Sequence, residues 1–201
     1  MWYKFCQFWC QMAFVVAFRL RVDGRENVPP AGPVLLVSNH QSFLDPVLIG
    51  VGLARPVHYL ARSSLFESSK IFSAIIRSLN AVPIRREAFS KESVRECIDI
   101  LSRGNALALF PEGTRTRDGH IGRLRAGFGM IAARSGSTVV PALIQGAFEA
   151  WPRSRPLPCA RPIRVRFGRA IGPEEVQRLG RSITERVQRE LAVLESKAKG
   201  L

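Results

Sequence analysis

The sequence predicts an α/β fold, and three observations predict it. Beyond Val34, short apolar runs alternate with longer segments of helical periodicity. The apolar runs are bounded by turn residues, which suits strands feeding loops and helices. At 201 residues the chain fits one domain, with room for an appendage, and can bury most of its apolar surface without disulfide staples.

The first element is an uncharged, aromatic-rich stretch, residues 5–18, lying between Lys4 and Arg19. As a helix it rises roughly 21 Å, short of the roughly 30 Å hydrocarbon core of a bilayer. It is therefore expected to lie in a membrane interface rather than cross. Trp2, Tyr3 and Trp9 suit the headgroup zone, and Lys4, Arg19, Arg21 and Arg25 can face anionic phosphates. A buried core helix is the competing reading. A signal peptide with Val15-x-Ala17 as its cleavage signal is a third and matches weakly.

Strands are expected at 34–38, 57–60, 81–84, 106–110, 138–144 and 163–167, each apolar or alternating. Between them, 46–53, 65–79, 93–102 and 122–135 are long enough for helices. Residues 151–162 carry Pro152, Pro156, Pro158 and Pro162, so this stretch is an irregular connection or lid. The final helix, 173–199, places Val176, Leu179, Ile183, Val187, Leu191 and Leu194 at steps of three or four, a stripe that packs on the core.

The formal net charge of +14 calls for an anionic partner: nucleic acid, an anionic lipid surface or an acidic carrier protein. Cys6, Cys10, Cys97 and Cys159 lack zinc-ligand spacing and read as reduced thiols in a cytosolic setting. With three scattered histidines there is no evident metal ligand set. Gly127 to Ala132 loosely matches a dinucleotide fingerprint but follows an arginine-rich loop rather than a strand. Serine-hydrolase elbow and Walker motifs are absent.

Two segments carry chemistry. In residues 39–45, NHQSFLD, His40 sits where a buried strand emerges. A neutral imidazole can take the proton of an attacking alcohol, and Asp45 can hold its other nitrogen. Five residues on a continuous helix would separate the two, so the chain must turn between them. Alternatively Asp45 is only an N-cap before Pro46, and the two roles are compatible. In residues 110–115, FPEGTR, Gly113 lets a ligand approach the backbone and Arg115 can grip a phosphate bidentately. The alternative is a surface loop with Glu112 paired to Arg115 or Arg117. Arg85 and Arg86 give a second candidate phosphate contact, and Arg117, Arg123 and Arg125 can be a solvated basic face. His58 reads as a satisfied core residue and His120 as a loop residue.

The ordered series NHQSFLD, LNAVPIRR (79–86), FPEGTR and Val140-Pro141-Ala142 resembles the motif blocks of the glycerophospholipid acyltransferases, most similarly bacterial 1-acyl-glycerol-3-phosphate acyltransferases. Asn80 stands where the second block usually has glycine, and Arg125-Ala126 where a basic pair is common. The resemblance implies a single-domain mixed sheet flanked by helices, of the glycerol-3-phosphate acyltransferase-like kind. It implies the organisation as 1–20, a membrane-interface segment, and 21–201, the acyltransferase domain, with 34–147 as the motif-bearing core.

It further implies His40 as general base with Asp45 as its partner. Arg86, Glu112, Gly113, Thr114 and Arg115 hold the acceptor's glycerol phosphate. The expected reaction moves a fatty acyl group from acyl-ACP or acyl-CoA to lysophosphatidic acid, giving phosphatidic acid in a ternary complex with no further cofactor. Another lysophospholipid or a lyso-aminolipid is the alternative acceptor. The expected place is the cytoplasmic face of the cell membrane, against an anionic surface, with no nucleic acid partner. A basic membrane-surface or nucleic-acid-binding module is the non-enzymatic alternative, but few aromatics interleave with the arginines beyond the N-terminus.

Overall fold

The computed structural model describes residues 1–67, 69–84 and 90–199. In chain order the elements are α1 (Trp2–Phe18), β1 (Arg21–Asp23), β2 (Val34–Ser38), α2 (Asp45–Gly52), β3 (Val57–Arg62), α3 (Ser63–Glu67), α4 (Lys70–Ser78) and β4 (Ala81–Ile84). They continue with α5 (Lys91–Ser102), β5 (Ala106–Leu109), α6 (Gly127–Ser135), β6 (Thr138–Gln145), α7 (Ala147–Ala150), β7 (Arg164–Phe167), α8 (Pro173–Leu179) and α9 (Ile183–Lys199).

One seven-stranded sheet runs in the order β1-β7-β6-β2-β5-β3-β4. Every neighbouring pair is parallel except β6 and β7, so the sheet is mixed, as expected. The six expected strands are all present. β1 was not among them, because three residues, Arg-Val-Asp, are too few to show a period. It forms by pairing in parallel with β7 at the sheet edge.

The centre of the sheet explains why its strands read as unbroken apolar runs. All five residues of β2 are buried. Val34 and Leu36 join the cluster under α1 and α2 with Leu48, Ile49 and Phe167, while Leu35 and Val37 join Leu101, Phe128, Ile131 and Leu191 on the opposite face. Helices on both faces bury both sides of each central strand. The expected stripe of the C-terminal region also packs inward, with Val176, Ile183, Val187 and Leu191 buried.

Helix boundaries differ from expectation where local polar groups intervene. Residues 65–79 form two helices, and the Ser69 hydroxyl accepts the Phe72 N–H at 3.4 Å to start α4. The expected helix from 122 begins only at Gly127, since Leu124 is buried and its N–H is taken by Gln188 Oε1 at 3.3 Å. The helix expected over 173–199 is interrupted at Gly180, which has φ +51°. Asn80 has φ +66°, a left-handed conformation that asparagine tolerates better than other side-chain-bearing residues. It thereby makes the turn into β4 that glycine commonly makes.

Two neighbouring parallel strands set the site. Val37 of β2 lies opposite Leu109 of β5, so the chains leaving their carboxyl ends emerge side by side. β6 flanks β2 on its other side, with Ser38 opposite Ala142. Replacing the wholly buried Leu36 by alanine is expected to cost about 2–5 kcal/mol. Replacing Val193, 45% exposed, is expected to cost within about 0.5 kcal/mol, both read by urea unfolding.

Candidate active site

β2 ends at Ser38, and the next side chain continues its pairing by other means. The Asn39 amide donates to the Ile144 carbonyl at 2.9 Å, and its oxygen accepts the Ile144 N–H at 2.8 Å. This two-bond bracket fixes the chain against β6 just before His40.

The next five residues form the turn that the separation of His40 and Asp45 requires. Asp45 Oδ2 accepts the backbone N–H of Gln41 at 2.6 Å and of Ser42 at 2.8 Å, and lies 2.7 Å from His40 Nδ1. Asp45 is completely buried, while the His40 side chain is 21% exposed. A carboxylate is acceptor-only, so Nδ1 carries the proton and donates it to Asp45, leaving Nε2 as the ring's lone-pair nitrogen. The ring stacks on Phe110 with centroids 4.4 Å apart. The capping alternative is corrected in one respect. Leu44 occupies the N-cap position of α2 and Asp45 is already helical, so its carboxylate reaches back to the turn instead of capping α2.

Glu112, on the loop after β5, also faces this turn. Its Oε1 accepts the His40 N–H at 3.0 Å. Burial pushes the Glu112 carboxyl above its ordinary value, and the N–H groups of His40 and Gly122 partly offset this. Among the described residues Glu112 forms no ion pair, so the internal salt bridge with Arg115 or Arg117 is not formed. Two further bonds join the loops: the Thr116 N–H donates to the His40 carbonyl at 2.8 Å, and Gln41 Nε2 donates to the Gly119 carbonyl at 3.1 Å.

Gly113 has φ +77°, and a Cβ there would meet the Arg125 guanidinium at 3.2 Å, so both conformation and space favour glycine. Thr114 is exposed. The Arg115 guanidinium lies 3.4 Å over the Phe43 ring, and Phe43 in turn contacts Trp151 at 5.4 Å. Arg115 Nη1 is buried without a hydrogen-bond partner. Burial lowers the pKa of Arg115, Arg153 and Arg62 lower it further by like charge, and Asp45 opposes them. A half-buried cation with a buried, unpartnered Nη1 is chemically suited to hold an anion.

The structure thus brings His40, Asp45, Glu112, Gly113 and Arg115 to one end of the sheet, with Thr114 between them on the surface. Arg86, with Arg85, lies outside the described residues. The sequence reasoning missed Asn39, Phe43, Phe110, Trp151, Arg62 and Arg153. Asn39 and Phe43 were legible as positions inside the motif, flanking and following the histidine, but their partners come from distant segments. The proline-rich stretch 151–162 is tied directly to the site, since Ser42 Oγ donates to the Trp151 carbonyl at 2.8 Å. His120 is exposed, as a loop residue should be, and His58 is half-buried, its ring bonded to the Ala106 backbone but its Nδ1 without a partner, so it is only partly the satisfied core residue expected.

A protein-family model described as Acyltransferase matches residues 19–145. The 1-acyl-sn-glycerol-3-phosphate acyltransferase of Bacillus subtilis is 30% identical over 145 residues, covering 72% of this chain and 71% of the relative. A chloroplastic enzyme of the same name from Arabidopsis thaliana is 29% identical over 147 residues, 72% of this chain and 41% of its own length. The chain therefore spans about two fifths of the length of the chloroplast relatives it matches. The crystal structure of the 1-acyl-sn-glycerophosphate acyltransferase PlsC from Thermotoga maritima superposes with a TM-score of 0.74 at 25% identity, over 92% of this chain and 79% of that one.

Because the folded-state pKa of Glu112 is raised, its contribution to stability is greatest below the ordinary value of 4.5 and declines as pH climbs through the folded value. The unfolding free energy of the native protein minus that of Glu112→Gln should therefore fall as pH rises from 4 toward 7. A difference that is flat or rises with pH contradicts the buried setting of this carboxyl.

Proposed function

Because the chain belongs to the Acyltransferase family, we propose that it transfers a fatty acyl group from a thioester, acyl-ACP or acyl-CoA, to the free hydroxyl of lysophosphatidic acid, giving phosphatidic acid. The observation that carries this reading is that the Arg115 guanidinium, from the loop after β5, lies on the ring of Phe43, which belongs to the same short loop as the His40–Asp45 couple. One part suits proton removal from an alcohol, the other the phosphate that the same alcohol carries.

In the proposed reaction the acceptor hydroxyl attacks the thioester carbonyl carbon while His40 Nε2 takes its proton. Asp45 accepts from Nδ1 throughout and stabilises the imidazolium. The tetrahedral intermediate then collapses, the carbon–sulfur bond breaks, and the imidazolium proton passes to the departing sulfur as a free thiol. Glu112 holds the His40 backbone N–H and so positions the base without touching the proton. Arg115 fixes the phosphate, which converts the attack into a reaction between two held groups. Gly113 and Thr114 shape the adjoining loop, and Arg86 is assigned to the same phosphate on its motif position alone.

The acceptor and product are lipids, and the surface offers a place to meet them. Trp2, Phe5, Phe8 and Trp9 of α1 and Ile71, Phe72 and Ile75 of α4 are exposed, and Trp2 Nε1 donates to Ser78 Oγ at 3.0 Å to join the two helices. Exposed apolar surface of this extent marks an interaction site, and Lys4, Lys70 and Arg77 add positive charge for an anionic leaflet. No helix among the described residues is long and apolar enough to cross a membrane. The exposed apolar face of α1 and α4 supports a proposed location at a membrane interface, on the cytoplasmic side where the thioester donors are.

With acyl donor and lysophosphatidic acid, the purified protein should release thiol. His40→Ala should cut kcat at least about 1,000-fold, and Asp45→Asn at least about 100-fold by freeing the imidazole tautomer. Full activity of His40→Ala refutes the assigned base. Phe5→Glu with Ile75→Glu should abolish co-sedimentation with vesicles containing anionic lipid, and undiminished binding refutes this membrane-facing surface.

A further inference from the structure

The hydrophobic core does not account for Phe43. The next residue, Leu44, packs inward and is buried in the cluster under α1 and α2, whereas Phe43 is 50% exposed and belongs to neither core cluster. Its ring serves two other contacts. The Arg115 guanidinium carbon lies 3.4 Å from the ring centroid, and the Trp151 ring packs against it with centroids 5.4 Å apart. Trp151 is itself anchored, since it packs against the core cluster and its carbonyl accepts from Ser42 Oγ at 2.8 Å. A line of support therefore runs from the core through Trp151 to Phe43 and ends on a cation.

The main chain reinforces this pairing. The Thr116 N–H donates to the His40 carbonyl at 2.8 Å, which brings the residue after Arg115 against the turn that contains Phe43. That turn is closed on Asp45 Oδ2 by the Gln41 and Ser42 N–H groups and by His40 Nδ1. One closed turn thus carries both the imidazole and the ring on which the cation rests.

We infer that Phe43 is a positioning residue for the acceptor's phosphate, its ring aiming the Arg115 guanidinium and registering that cation to the His40 turn. This rests on the acyl-transfer reading and adds a residue to its acceptor site. Stacking engages the face of a guanidinium and leaves the N–H fork at its edge for a phosphate. A carboxylate partner would occupy those donors and compete with the incoming anion. Among the described residues Arg115 has no acidic salt-bridge partner, and its Nη1 is buried without a hydrogen-bond partner. The long side chain is thus held while its donors stay open, so less ordering cost falls on binding. Leucine at position 43 would keep apolar bulk but lose the negative face of the ring.

The experiment is a double-mutant cycle on thiol release, with lysophosphatidic acid as the varied acceptor in mixed detergent micelles. Phe43→Leu is expected to raise KM about tenfold with kcat within about twofold, and Phe43→Tyr, which keeps the ring, should stay within about threefold of the native KM. In an Arg115→Gln background Phe43→Leu should change kcat/KM by less than about twofold, because the cation it serves is gone. Arg86 is present in all four proteins of the cycle, so its share of the phosphate cancels. An unchanged KM in Phe43→Leu, a loss confined to kcat, an equal loss in Phe43→Tyr, or an undiminished effect in the Arg115→Gln background overturns the inference while the acyl-transfer reading stands. Native protein that releases no thiol with lysophosphatidic acid overturns that reading and this inference with it.

Discussion

A single buried oxygen organises this end of the molecule. Asp45 Oδ2 gathers two backbone N–H groups and the His40 ring, three donors converging on one atom that water does not reach. Bonds to a charged acceptor each contribute about 1.5–3 kcal/mol, and a buried carboxylate without them is costly. The turn over residues 40–44 is therefore the conformation in which this carboxylate can be buried at all. The imidazole orientation, the approach of Phe43 to Arg115 and the start of α2 all follow from that turn. Helix α2 begins on the very residue that closes it, so the helix cannot shift without dragging the imidazole.

The sheet supplies the second constraint. β2 and β5 are neighbours in register, which delivers the two chemical loops to adjacent exits, and the Asn39 bracket to Ile144 fastens the first of them to β6 on the far side. His40 therefore stands on a frame buried on both faces, while the residues around Thr114 are exposed. Catalytic geometry on rigid strand ends with variable loops above is the usual economy of α/β sheets.

Much of this was legible in the sequence because the signals are local. The alternation of apolar runs and helical segments gave six of the seven strands, and motif spacing named His40, Asp45 and the Glu112–Arg115 loop. The remainder depended on contacts between distant segments. β1 is defined by its pairing with β7, more than a hundred residues away, and not by any pattern of its own. Glu112 looked like half of an ion pair in sequence because arginines follow it closely. Its actual partner is a main-chain N–H 72 positions earlier, which no local pattern encodes. Trp151 was hidden for a related reason. Four prolines announce an irregular connection but not that Ser42 Oγ and the Phe43 ring hold it at Trp151. The break before α4 and the late start of α6 reflect a serine cap and a glutamine from α9, each too specific for periodicity to register.

The bond from Glu112 has a consequence for how such a protein can change over generations. What the carboxyl holds at position 40 is the amide of the main chain, which every residue except proline possesses. The Thr116 N–H likewise grips the carbonyl of residue 40, and the Asn39 bracket is independent of the imidazole. The pocket's outline is thus specified separately from its reactive atom. A descendant that lost the imidazole would keep these loops in place and, under the proposed function, a formed cradle for the phosphorylated acceptor, recognition surviving after turnover has gone.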